Sequence, residues 1–244
     1  MENKQKIIIT CVMAVALVVG CALLGKGLTN FHKSNDTINV TGKAEKTIDS
    51  DFVVWRITLN STGADRQTAY HNYETDITTL KKFLAEQQIT ASVMTEQSPS
   101  ASERVESSYK NGNYVTEKLG YQVTQTLTIS ASDLTMVEKA YNKISTLYST
   151  GMDIDSSPLE YYYTKLNDLK MEMLKDASAD AYARAQVMAE GCDAEVGKLT
   201  NLSMGVFQIL GVNCNEDYSW GGTYNTSSKQ KEASITVRAE YESK

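Results

Sequence analysis

Histidine and cysteine are scarce in this 244-residue chain, two of the first and four of the second, whereas an enzyme needs convergent groups that exchange protons, bind metal or attack. His32 lies in a polar stretch, and His71 sits roughly 120° from the apolar stripe of its helix, so both are read as solvated. There is no CxxC pair and no Cys/His cluster, which argues against a structural zinc site. HExxH, GxSxG, P-loop, GxGxxG and EF-hand patterns are also missing, and the common hydrolase, zincin and nucleotide sites go with them. Proline numbers 2 and glycine 14, which excludes collagen-like and low-complexity chains. Lys and Arg together number 24 against 30 Asp and Glu, a net charge of -6. A chain of that sign is not built to track a phosphate backbone, so no nucleic-acid partner is expected.

What is present begins with a long apolar run. Ile7 to Gly25, IIITCVMAVALVVGCALLG, holds no charge. As a helix it would be roughly 28 Å long, against a hydrocarbon thickness of about 30 Å. Lys4 and Lys6 precede it, and a short basic tail ahead of a first apolar helix stays in the cytoplasm, so the bulk is expected outside. The leading expectation is an uncleaved single-pass membrane anchor with the domain on the extracytoplasmic side. A cleaved secretory signal and a lipoprotein signal ending at a lipidated Cys21 stay open, although Ala22-Leu23-Leu24 continue the apolar run past that cysteine. Without residues 1–25 the chain keeps 22 basic and 29 acidic side chains, so attraction to anionic lipid is not what would hold it at a membrane. Cys11 and Cys21 fall inside the run. Cys192 and Cys214 remain outside, and in an oxidising envelope they could form one disulfide that their spacing neither requires nor forbids.

Three segments follow: an anchor or signal over residues 1–30, a polar tether over 31–37, and one domain over 38–244. Ile38–Ala44 and Phe52–Leu59 read as strands paired in a hairpin across the polar Glu45–Ser50 stretch. Ala64–Gln88 has the helical period, with Tyr73, Ile77, Leu80 and Leu84 on one face. Val93–Val105 and Tyr114–Ser130 read as two strands joined by a turn at Lys110–Asn113, with Tyr121, Val123, Gln125, Leu127 and Ile129 sharing a face. Asp133 caps a helix over Leu134–Ser149, striped by Val137, Ala140, Tyr141, Ile144 and Tyr148. Met152–Tyr163 returns to strand, broken near Pro158, and Leu166–Glu190 is a helix with Leu166, Leu169, Met173, Ala177, Ala181, Ala185 and Met188 on one side. Val196–Val212 and Ala233–Tyr241 are the last strands, separated by a loop over Asn213–Gln230. The pattern implies an α+β two-layer sandwich, a mixed and largely antiparallel sheet with helices mainly on one face. No short-period repeat is visible.

Few residues are candidates for chemistry. Asp153 and Asp155 project from one strand face and could share a hard cation or serve a carboxylate-dependent hydrolase, but a solvated strand end is the plainer reading. Glu103 and Glu106 are read as surface carboxylates. Tyr218, Trp220 and Tyr224 on the long loop are candidate contact anchors for a glycan or peptide, weighed against rings folded back over the core. No catalytic residue, metal site or cofactor is assigned, and any small ligand is left unspecified.

Three stretches, INVTGKAEKTIDSDFVVWRITL, GYQVTQTLTISASDL and ASADAYARAQVMAEGCDAEVGKLTNL, resemble SIMPL-domain proteins in content, order and spacing. Gly42, Asp51, Gly120, Tyr121, Ala181, Ala185, Ala189 and Gly197 are the matching positions; Ser50 stands where the family usually has proline, and the loop over Asn213–Gln230 is longer than usual. The resemblance implies a bacterial envelope protein with an α/β fold, no established catalytic residues, self-assembly into homo-oligomers, and an association with stress defence.

Overall fold

The structure is a computed structural model that describes residues 37–110, 113–212, 214, 219 and 221–244, together with 13 and 17–21. The apolar run and the tether fall mostly outside the described residues. Residues 17–21 are helical, with Leu17, Val18 and Val19 exposed. Among the described residues no helix is long and apolar enough to cross a membrane. The fold is mixed α+β with antiparallel sheets and few helices. The chain divides into two compact units, Lys43–Ala177 with Gly205–Thr236, and Met1–Gly42 with Ser178–Met204 and Val237–Lys244.

The larger unit is built on a sheet ordered β3-β5-β2-β6, with β4 pairing β5 and β7 pairing β2. Its spine is β2 (Phe52–Gly63) antiparallel to β5 (Asn113–Ala131), in register from Val53 opposite Ala131 to Gly63 opposite Tyr121. Period-2 alternation sends Val53, Trp55, Ile57 and Leu59 to the same side as Leu127, Ile129 and Ala131. Against that side pack Ile77, Leu80, Phe83 and Leu84 of α1 (Arg66–Glu86) and Leu134, Val137 and Ala140 of α2 (Leu134–Lys143). Trp55 is fully buried, donates from Nε1 to Ser156 Oγ at 2.9 Å, and meets Tyr141 edge-on at 5.7 Å. Both helices start on side-chain caps: Asp65 Oδ1 accepts from Thr68 N at 2.8 Å, and Asp133 Oδ1 from Met136 N at 3.0 Å.

Several expectations about this unit change. The long strand over Val93–Val105 is two strands, β3 (Met94–Glu96) and β4 (Ser100–Lys110), divided around Pro99, which has no N–H for a ladder. β6 (Asp153–Ser156) and β7 (Glu160–Tyr162) are likewise divided around Pro158, as expected. The helix from Leu134 breaks at Ile144 and restarts as α3 (Ser145–Tyr148), which turns Leu147 inward and leaves Tyr148 exposed in place of the expected stripe. The long last-but-one strand is also two, β8 (Val196–Met204) and β9 (Gln208–Gly211).

The expected hairpin between the first two strands does not form. β1 (Thr37–Asp49) continues through the polar stretch read as a connection, with Ile48 buried. It belongs to a second sheet, ordered β1-β10-β8, while β9 also pairs β10 (Gln230–Ser243). At the corner Ser50 N donates to Lys229 O at 2.9 Å and Asp51 N to Tyr162 O at 2.9 Å, so the backbone finds partners on distant strands. Ser50-Asp51 is not one of the glycine- or asparagine-based pairs that hold two strands together in a tight turn.

In the smaller unit, β8 pairs antiparallel with β10, Val237 opposite Met204 through Ser243 opposite Val196. Its core joins Val40, Ala181, Ala185, Ala239 and Tyr241. The helix α4 (Leu166–Glu190) has the expected bounds, but its buried line steps by four from Leu169 to Ala189, and Met188 faces out.

Candidate functional site

The carboxylates read from the sequence lie on two strands, β6 and β4. Asp153 and Asp155 sit on the exposed side of β6 with buried Ile154 between them, and Asp155 Oδ2 accepts from Asn60 Nδ2 at 3.1 Å. Glu103 is ion-paired to Lys118 at 2.6 Å. His71 is exposed, and among the described residues no three His, Cys, Asp or Glu side chains are grouped to hold a metal ion. Cys21, Cys192 and Cys214 are exposed free thiols, Cys192 in the smaller unit and Cys214 in the larger.

Of the aromatic loop, Tyr218 and Trp220 lie outside the described residues. Tyr224 is half-buried and turned inward: its ring stacks on Tyr162 at 6.1 Å, and its hydroxyl accepts from Tyr163 N at 2.9 Å. The buried Gln208 fastens this turn from both sides, Nε2 donating to Ser219 O at 2.6 Å and Oε1 accepting from Thr223 N at 3.0 Å. Tyr162 in turn donates to Glu160 Oε2 at 2.8 Å, and Arg56 Nη1 meets Glu160 Oε1 at 2.7 Å. Those hydrogen bonds, Arg56 first, hold the Glu160 carboxyl below its ordinary range, whereas burial and then Glu160 raise the Tyr162 phenol.

The feature that sequence reading underweighted is the hairpin of β4 and β5. These strands pair from Ser100 opposite Thr124 to Lys110 opposite Asn113, with a bulge where Arg104 faces Gly120 and Val105 faces Lys118. β2 supports β5 only from Tyr121 onward. Among the described residues, 113–119 are therefore paired with β4 alone, and every one of them is exposed. At about 3.4 Å per residue they carry the hairpin roughly 20 Å past the supported sheet. Val105, Tyr109, Tyr114, Val115 and Leu119 are all exposed, Tyr114 at 82%. Tyr109 and Tyr114 meet edge-on at 5.1 Å near the tip, and Ser107 and Thr116 hydroxyls lie 3.2 Å apart on the same side. On the other side Glu106 stands directly opposite Glu117, an unfavourable like-charge pair. At the base, hydrogen bonds to Glu103 and then Tyr121 raise the Lys118 ammonium above the usual lysine value. The signal for this arm is in the sequence: SSYKNGNYVTE alternates around Asn-Gly without giving either face enough apolar residues for a core.

A family model described as "SIMPL: Protein of unknown function (DUF541)" matches residues 38–241. The chain belongs to the SIMPL family. A comparison with curated proteins gave no match. Among solved structures the chain is similar to "De novo designed protein Foldit4", at 14% identity over 43% of this chain and 93% of that one, with a TM-score of 0.22 that carries no argument about the fold. In this SIMPL chain Asp51 binds Thr164 twice, Oδ1 accepting from the backbone N at 2.7 Å and Oδ2 from Oγ1 at 2.8 Å. Ser50 spends its N–H on Lys229 O, a bond proline could not donate. Its buried Oγ has no hydrogen-bond partner among the described residues.

Proposed function

We propose that this SIMPL chain is a membrane-tethered, extracytoplasmic protein that acts by assembling with copies of itself, without catalysis, in the maintenance of the cell envelope or its defence against oxidative stress. The observation carrying the reading is the β4/β5 arm, whose exposed Val105, Tyr109, Tyr114, Val115 and Leu119 face water on a ribbon that, among the described residues, has no further strand partner beyond Gly120. Two-stranded ribbons are marginal in water on their own and gain stability when a third strand or a packing face is supplied. The tether is supported by the uncharged run Ile7–Gly25 and by the exposure of Leu17, Val18 and Val19 on helical residues, an arrangement that lipid would cover. The exposure of Asp153 and Asp155 on the open side of β6 supports a contact role over a hydrolytic one.

The test uses the full chain in detergent. Tyr109→Ser with Tyr114→Ser removes the exposed aromatic pair without touching the core, and sedimentation should then show fewer assembled copies than the parent protein. Unchanged assembly in the double variant, or turnover of a substrate by purified parent protein, would contradict the reading.

A further inference from the structure

The structure assigns the free edge of β4 as the seam between two copies of this chain, joined antiparallel about a two-fold axis through Val105. This rests on the self-assembly reading and specifies its surface. β4 pairs only with β5, so the backbone groups on its other side have no strand partner among the described residues, and such an edge is a template for another strand. Directly opposed residues in an antiparallel pair share a face, and faces alternate along the strand. A two-fold seam must therefore place one residue opposite its own copy. Centring on Arg104 would oppose two arginines, and centring on Glu106 two glutamates. Centring on Val105, the middle residue of Ser100–Lys110, engages every residue of the strand. It sets Val105 against Val105 and Arg104 against Glu106 twice, once on each side of the axis. Among the described residues Arg104, Glu106 and Glu117 make no ion pair. In the seam each Glu106, already opposed by Glu117 within its own hairpin, gains the partner copy's arginine on its other flank, which offsets the like-charge pair. The result is a continuous four-stranded ribbon, β5-β4-β4-β5, in which the face of one arm that carries Val105, Tyr109 and Tyr114 extends into that of the next.

The experiment is a charge swap in the full-length protein in detergent, followed by sedimentation equilibrium, with circular dichroism to show that the variants keep their fold. Arg104→Glu and Glu106→Arg singly each bring like charges together in the seam and should weaken association about tenfold or more. The double variant, Arg104→Glu with Glu106→Arg, recreates opposite charges and should restore association toward the parent value. If the parent assembles and neither single variant weakens it, or if the double variant is as weak as the singles, the β4 seam is wrong while self-assembly stands. A parent protein that stays monomeric overturns both.

Discussion

Gly120 lies against the carbonyl oxygen of Gly63, so close that a Cβ on Gly120 would overlap it, and Gly120 holds φ at +119°. This contact sits where β2 ends and the β5 ribbon runs on alone. The region of φ and the missing Cβ are both glycine properties. Gly120→Ala is therefore expected to cost about 1–3 kcal/mol or more in global stability, read as a lowered denaturant midpoint; an unchanged midpoint would refute the geometry.

Gln208 serves the turn as a two-ended clamp, and replacing it with leucine leaves Thr223 N without its acceptor and takes from Ser219 O one of its two donors, Gly222 N being the other. A hydrogen bond of this part-buried kind contributes about 0.5–1.5 kcal/mol. The expected outcome is faster amide hydrogen exchange at Thr223, and at Tyr163, whose N–H is held by the Tyr224 hydroxyl. Exchange at both sites equal to the parent's would show that the clamp does not order the turn.

Alkaline pH should expose the role of Tyr161. Its phenol donates to Glu138 Oε1 at 3.1 Å, and burial, then that bond, push its pKa up to about 12 from 10.0. The folded protein thus favours the neutral phenol more than the unfolded chain does. The associated stability is fully present below about pH 10 and is lost as pH rises toward 12. In Tyr161→Phe this part of the stability-versus-pH curve should flatten; a curve that keeps the parent's slope between those limits would contradict the assignment.

Acid acts on Glu160 in the opposite sense. Its carboxylate is held in the charged form by Arg56 and Tyr162, so its contribution is present above the ordinary glutamate range and fades as pH falls through its lowered value. The pair is partly exposed, so Glu160→Gln should cost no more than about 1 kcal/mol at neutral pH and reduce the dependence of stability on pH below about 4.5. A loss independent of pH would indicate packing in place of charge.

Much of the fold is legible locally. The helix bounds Leu166–Glu190, the cap at Asp133 and the β4/β5 hairpin follow from period, cap chemistry and an Asn-Gly pair in the sequence. What local pattern does not carry is pairing at a distance. Ile48 and Trp55 both sit on good strands, yet they enter different sheets because Ser50 and Asp51 bond to Lys229 and Tyr162. Where the arm loses its support is set by distant pairing too. Tyr114–Leu119 continue the alternation of β5, and only the stop of β2 at Gly63 strips them of cover.

The most direct measurement of the central claim is the polypeptide mass of the full-length protein in detergent micelles, taken over a range of concentrations with the detergent contribution subtracted. The account predicts a mass that rises to a multiple of 27.0 kDa. A value fixed at that single-chain mass at every concentration would contradict it.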